Sequence, residues 1–315
     1  MVTLADLALA PWIARALAFA FGSIWGSFVN VVIYRVPRHQ SVVHPGSHCP
    51  ACGAPIPPWD NIPVFTFLAL RGRARCCGAR ISPRYVVVEA LAGFLAVALY
   101  DTAILPLAPS TPLARVAAVF LADFGMAMAL VAAAFIDAEH MILPDAITIG
   151  GTLFGLATPT LRGLGWVDGM VGAAAGFFGV WLPFVVAYRR LRGRDGMGLG
   201  DAKLLMMAGA WYGWRGAAFA LFAGAFQATV VALLLFAVQG KIEEPAAVRL
   251  EREEMERAAQ AGDVEAEQAL REDPLATAPA AGLLSARLPF GPFLCLAILE
   301  WMLAGDWLQE RIGLG

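Results

Sequence analysis

Runs of about 18 or more mostly apolar residues recur along this chain, and each is long enough to cross a hydrocarbon core of roughly 30 Å. A removable signal peptide would account for one such run, not for several. The spans fall near 11–33, 85–105, 113–136, 143–160, 166–188, 201–214, 216–238 and 288–306, which predicts an all-α polytopic membrane protein of about eight transmembrane helices. Composition agrees: 59% of the 315 residues are hydrophobic and 15% are charged, with a mean hydropathy of +0.66. Soluble domains sit near 45–50% apolar and 25% charged.

The net charge of -2 says little, but the placement of the basic residues says more. With the N-terminus outside, the inner loops hold Arg35, Arg38, Arg71, Arg73, Arg75, Arg80, Arg84, Arg189, Arg190, Arg192, Arg194 and every base from Lys241 to Arg287. The outer side keeps Arg15, Arg115, Arg162, Arg215 and Arg311. Loops rich in Lys and Arg stay cytoplasmic, so the long loop is expected to face the cytoplasm. The chain then divides into a first transmembrane helix (1–34), a cytoplasmic loop with cysteine hooks (35–84), a membrane core (85–240), a charged helical insertion (241–286) and a last helix with the C-terminus (287–315). The insertion has helix-forming composition with opposite charges four apart, such as Arg249 with Glu253 and Glu253 with Arg257, and reads as a solvated helix.

Two carboxylates stand at the ends of apolar segments. AAAFIDAEHMILPDAITIG brings Asp137 to the inner edge of one span, and GMGLGDAKLLMMAGAW brings Asp201 to the same edge of another. An acid within a membrane helix is costly and usually lines a cavity or pathway. Interfacial anchoring for Asp137 and helix capping for Asp201 are the structural alternatives. Gly196, Gly198 and Gly200 are expected to adopt backbone angles closed to other residues, or to let an extended peptide pass close by. Two neighbouring carboxylates do not both ionise readily, so one can deprotonate a water that attacks a peptide carbonyl while the other donates to the oxyanion. Lys203, two residues on, should point away from Asp201 toward the interface or lipid phosphates.

In the order GSFVNVVIYRVP, HPGSHCPACGAPI, NIPVFTFLALRG, ISPRYVVVEALAG, IDAEHMILPD, GMGLGDAKLLMMAGAWYGW and LPFGPFL, the chain resembles the prepilin peptidases, bacterial G-x-G-D membrane aspartic proteases. The resemblance covers most of the chain except 241–285. It implies that Asp137 and Asp201 are the catalytic pair, that Gly198 and Gly200 shape the substrate cleft, and that the enzyme sits in the bacterial inner membrane with its active site toward the cytoplasm. The implied substrates are type IV prepilins or type II secretion pseudopilins, cut after a glycine and before a hydrophobic residue. It also implies methylation of the new N-terminal amine from S-adenosylmethionine, with Glu89 in RYVVVE as a candidate for that second reaction. An interhelical hydrogen bond is the alternative for Glu89.

Cys49 and Cys52 have the spacing of a metal hook, and structural zinc takes four tetrahedral ligands. The family pattern supplies a second C-x-x-C, but here RARCCGARIS places Ala74 where its first cysteine belongs, leaving Cys77 in register and Cys76 beside it. The candidate ligands are therefore Cys49, Cys52, Cys77 and Cys76, with His48 or His44 able to replace Cys76; a metal-free loop is the other reading. A reducing cytoplasm argues against disulfides. Cys295 reads as a small buried hydrophobe. Membrane lipids are expected partners and nucleic acid is not. A transporter using the two aspartates as a proton or cation relay is the competing function, although no polar path is evident beyond one membrane edge. A non-catalytic scaffold would require damage to the core motif, and Ala74 is the sole departure seen.

Overall fold

The computed structural model describes residues 3–4, 10–192, 196–240, 244–264, 268, 270 and 288–312. Arg194, Asp195, Lys241 and Arg287 lie outside them. The helices are α1 (Pro11–Arg35), α2 (Phe65–Ala69), α3 (Pro83–Leu99), α4 (Leu113–His140), α5 (Asp145–Ala157), α6 (Trp166–Val180), α7 (Tyr188–Arg192), α8 (Leu199–Gln239), α9 (Ala246–Gln260) and α10 (Gly291–Ile312). Among the described residues no strand forms, and six helices are long and apolar enough to span a membrane. The eight expected apolar segments are all helical. Two of them are joined in α8, and another, α5, has only 13 residues.

The join in α8 is a reversal rather than a continuation. Gly213 has φ 70° and ψ -176°, a conformation that costs a side-chain-bearing residue heavily. Before it, Leu205 and Gly209 lie against Gly176 and Gly172 of α6; after it, Gly216 and Gly224 lie against Trp301 and Leu294 of α10. Along α10 that order runs from its end back toward its start, so the second arm of α8 returns to the membrane edge from which the first arm left.

Small residues make these approaches possible. Lipid tails are as apolar as the side chains, so helices in a bilayer gain from close backbone packing where Gly and Ala meet. A Cβ on Gly172 would meet the Gly209 carbonyl, and one on Gly22 would meet the Ala92 carbonyl. The α1 and α3 helices share a core of Val29, Ile33, Val88, Ala92 and Ala96 with Ala127, Val131 and Ile136 of α4. The other face of α4, with Met126, Leu130 and Ala133, packs with Leu204, Ala208, Leu294 and Ile298. Helix α4 is thus the shared wall of two packed groups and carries Asp137 near its end.

Replacing Gly172 by Val should lower stability by at least about 1–3 kcal/mol, the usual cost of overpacking. Gly179→Ala, whose new Cβ would meet nothing within 4 Å, should cost less than about 0.5 kcal/mol. Reversible unfolding in detergent micelles compares the two, and equal losses would contradict the packing assigned to α6 and α8.

Candidate active site and cysteine centre

Asp137 lies in the last turn of α4 and Asp201 in the first turn of α8. Both are at least nine-tenths buried, and the two carboxylates interact electrostatically. The structure therefore brings the two sequence-predicted acids together. Asp137 Oδ2 accepts the backbone N–H of Gly291, the first residue of α10, at 2.9 Å. A Cβ at position 291 would lie 2.7 Å from that oxygen, so only glycine lets the two helices meet this way. Asp201 is not the N-cap, a place taken by Gly198; its carboxylate instead reaches back to the Gly198 N–H. Cys295, one turn into α10, is fully buried in the hydrophobic core with Leu294 and Ile298, as expected of a small buried hydrophobe.

The special backbone angles expected of the glycines are not found. None of Gly196, Gly198 and Gly200 has a positive φ. Their use is close approach: a Cβ on Gly198 would lie 3.2 Å from Asp201 Oδ2, and one on Gly200 3.1 Å from Leu143. Lys203 pairs with Asp145 of α5 at 2.6 Å, so it ties two helices at the edge.

Two further features escape a reading of the sequence. Asp123, within α4 and buried, interacts with Arg162, whose guanidinium also bonds the Trp211 and Gly155 carbonyls and lies 4.0 Å from the centre of the Trp211 ring. Charge placement alone assigns Arg162 to an outer loop; in the fold it braces the α8 reversal. The insertion, expected to be solvated, docks one face on α4. His140, one turn beyond Asp137, pairs with Glu251 at 3.3 Å, Val248 is buried, and the nearly buried Arg252 pairs with Glu244 at 2.7 Å. Within the charged sequence of α9, Val248, Met255 and Ala259 recur at helical spacing and form one apolar stripe, the signal that this face had to be covered.

The four loop cysteines gather with every pair of sulfurs within 4.8 Å. Cys49 and Cys77 sulfurs are 3.7 Å apart and those of Cys52 and Cys76 3.4 Å; four sulfurs at about 2.3 Å from a tetrahedral ion would be about 3.8 Å apart. Two matching turns build the group. Cys49 N–H donates to Ala54 and Gly53 N–H returns to Cys49, while Ala74 N–H donates to Ala79 and Gly78 N–H returns to Ala74, all at 2.8 Å. Ala74 thus occupies the place of Cys49 in the second turn, and Cys76 supplies the missing sulfur from inside that turn. His48, bonded to the Gly46 carbonyl at 3.0 Å, does not join the group, which removes it as the replacement ligand. The N–H groups of Ala51 and Cys52 lower the Cys49 thiol to about 7, whereas the hydrogen bond with Cys52 pushes Cys76 up to about 12. Four cysteine sulfurs at this spacing are suited to a metal ion, which would take them as thiolates.

Glu89, nearly buried in the second turn of α3, accepts the Val64 N–H at 2.7 Å and a hydrogen bond from Ser27. Val64 has φ 61°, rare for a β-branched residue, so Glu89 holds a strained turn of the loop against the membrane helices.

A helical membrane protein with two electrostatically coupled carboxylates buried at the ends of different helices has the parts of an intramembrane aspartic protease. Comparison with known proteins narrows that class. Residues 20–102 match the Bacterial Peptidase A24 N-terminal domain and residues 124–233 the Type IV leader peptidase family. A Myxococcus xanthus (strain DK1622) protein named prepilin leader peptidase/N-methyltransferase is 34% identical over 326 residues, covering 93% of this chain and 90% of its own. Proteins of the same name from Klebsiella pneumoniae (37% identical; 67% of this chain, 93% of the relative) and Aeromonas hydrophila (38%; 65% and 75%) are also similar. No solved structure matches with significance. The chain belongs to the type IV leader peptidase family.

Elemental analysis of the purified chain should find about one metal ion per molecule, and Cys76→Ser should weaken its retention at least tenfold, about the least a disturbed site loses. His48→Ala should keep the ion. A metal-free protein, or loss in His48→Ala alone, would contradict the four-sulfur site.

Proposed function

We propose that this protein is a membrane aspartic endopeptidase that removes the leader peptide of type IV prepilins or type II secretion pseudopilins at the cytoplasmic face, and that it N-methylates the residue so exposed. The observation that carries the reading is the pairing of Asp137 with Asp201, two buried carboxylates brought to one edge by different helices. Family membership supports it, and the positive loops support the cytoplasmic orientation.

In the cleavage step one carboxylate takes a proton from water as the water oxygen attacks the scissile carbonyl carbon, and the other donates its proton to the carbonyl oxygen. Collapse of the tetrahedral intermediate breaks the C–N bond and returns a proton from the pair to the leaving amine. The Gly291 N–H occupies Asp137 Oδ2, which leaves Oδ1 free for the water. Gly198 and Gly200 keep the approach to Asp201 narrow but free of side chains.

A transporter reading finds no support in the geometry. The next buried acid on α4, Asp123, is about 21 Å along the helix from Asp137, and buried Met126, Leu130 and Ala133 line the stretch between them.

For the cysteine group we infer structural zinc, because a closed set of four thiolates leaves no open coordination position and matches zinc's preference. For S-adenosylmethionine the described residues offer no strand followed by a glycine-rich turn and helix, and the Glu89 carboxylate is engaged by Val64 and Ser27. No residue is therefore assigned to the methyl donor and no step is routed through it.

Incubation of the purified chain with a prepilin and S-adenosylmethionine, read by mass spectrometry, tests the proposal. The expected product has lost its basic leader and gained one methyl group. Asp137→Asn and Asp201→Asn should each lower cleavage by at least about 10³-fold, and the double variant should be hardly worse, because groups acting as a unit are not additive. Asp145→Asn and Asp168→Asn should retain substantial cleavage. Full cleavage by either Asp137→Asn or Asp201→Asn would end the two-aspartate mechanism.

A further inference from the structure

The arginines of the long loop can be accounted for one by one. Residues 35–84 contain seven arginines and a single acid, Asp60. Arg35 bonds the Ser41 and Pro45 carbonyls, Arg38 bonds the Tyr34 carbonyl, Arg75 takes Asp60 at 2.9 Å and Arg84 takes Glu139 at 2.6 Å. Arg71, Arg73 and Arg80 remain, exposed and, among the described residues, without a carboxylate. All three line one cleft of 530 Å³, together with Phe67, Ser82 and Pro83. Like charges gathered in one cleft repel one another unless an anion joins them.

The position of the cleft says which anion. Pro83 begins a membrane span, so the cleft opens where the chain enters the bilayer. Val64 is bonded to Glu89, six residues into α3 and therefore about 9 Å along its axis, which sinks the start of α2 below the mouth of that span. Phe65 and Leu68 of α2, and Trp59 just before it, are each about two-thirds exposed. Large apolar side chains at that depth have acyl chains as their natural surroundings, and a tryptophan at the edge suits the headgroup level.

We propose that residues 59–83 form a lipid-binding face on which Trp59, Phe65 and Leu68 enter the acyl boundary while Arg71, Arg73 and Arg80 hold the phosphate of an anionic phospholipid. Guanidinium groups suit this task because their forked donors bind phosphate in pairs of hydrogen bonds. The loop is then docked at two levels, by Glu89 from within the protein and by a lipid from outside it.

Native mass spectrometry of the full chain, titrated in micelles with phosphatidylglycerol or phosphatidylcholine, tests this. Phosphatidylglycerol should be retained more tightly by the parent protein, a comparison that needs no variant. In the combined Arg71→Gln, Arg73→Gln, Arg80→Gln protein that retention should weaken by about 100-fold, from roughly a factor of five for each basic residue near a lipid surface. Metal content and unfolding midpoint should stay at parent values. Hydrogen exchange over residues 65–82 should slow in nanodiscs of phosphatidylglycerol relative to phosphatidylcholine. Equal retention of the two lipids by the parent, or undiminished retention by the folded triple variant, would overturn the proposal. Inorganic phosphate added to lipid-free micelles serves as the probe for a free-anion site; if it alone slowed exchange as fully as phosphatidylglycerol, the lipid assignment would fall.

Discussion

A single buried hydrogen bond, from the Gly291 N–H to Asp137 Oδ2 at 2.9 Å, joins the ends of two membrane helices more than 150 residues apart in sequence. A carboxylate at a bilayer edge cannot be left without a partner, and here its partner is another helix's first backbone donor, one of the groups a helix leaves unsatisfied. The bond decides where α10 begins. It also fixes the end of α4 that carries Asp137 against α10, whose other residues pack on α8.

The rest of the molecule can be understood as what makes that meeting possible. Gly213 reverses α8 so that both arms serve the site: the first presents Asp201, and the second packs on α10 and holds Gly291 in place. Arg162 braces the reversal at the far side by bonding Trp211 and Gly155. At the near side Lys203 with Asp145 and His140 with Glu251 pin α5 and α9 around the mouth of the pair. The cysteine unit is set against the same bundle through Glu89 and Val64, so a metal that orders residues 49–77 would also order the turn at the membrane edge.

Much of this is legible in the sequence because hydrophobic run length and intramembrane acids are strong signals. Eight apolar segments predict eight helical stretches, and Asp137 and Asp201 stand out because carboxylates are expensive there. What stays hidden depends on contacts between distant segments. The break between the spans at 201–214 and 216–238 is legible beside Arg215, but that Gly213 makes it with a φ of 70° inside what is otherwise one helix is not. Gly291 stands in the quoted LPFGPFL, but its backbone bond to Asp137 joins segments too far apart in sequence for the motif to show it. Cys76 looks an awkward neighbour to Cys77 when ligand spacing is counted along the chain; in the fold the second turn repeats the first with Ala74 in the place of Cys49, and Cys76 fills the gap. The docking of α9 is obscured by its many charges, which outweigh in composition the narrow buried face centred on Val248 and Arg252.

The central claim is that Asp137 and Asp201 share one proton and work as a single unit, and the pH dependence of kcat/KM for prepilin cleavage tests it most directly. A pair in which one carboxyl must be ionised and the other protonated gives a bell, with two apparent pKa values that belong to the pair. Cleavage that falls on both sides of an optimum is the predicted result. A profile with one limb only, level from the optimum to either extreme while the protein remains folded, would contradict the shared proton and with it the mechanism.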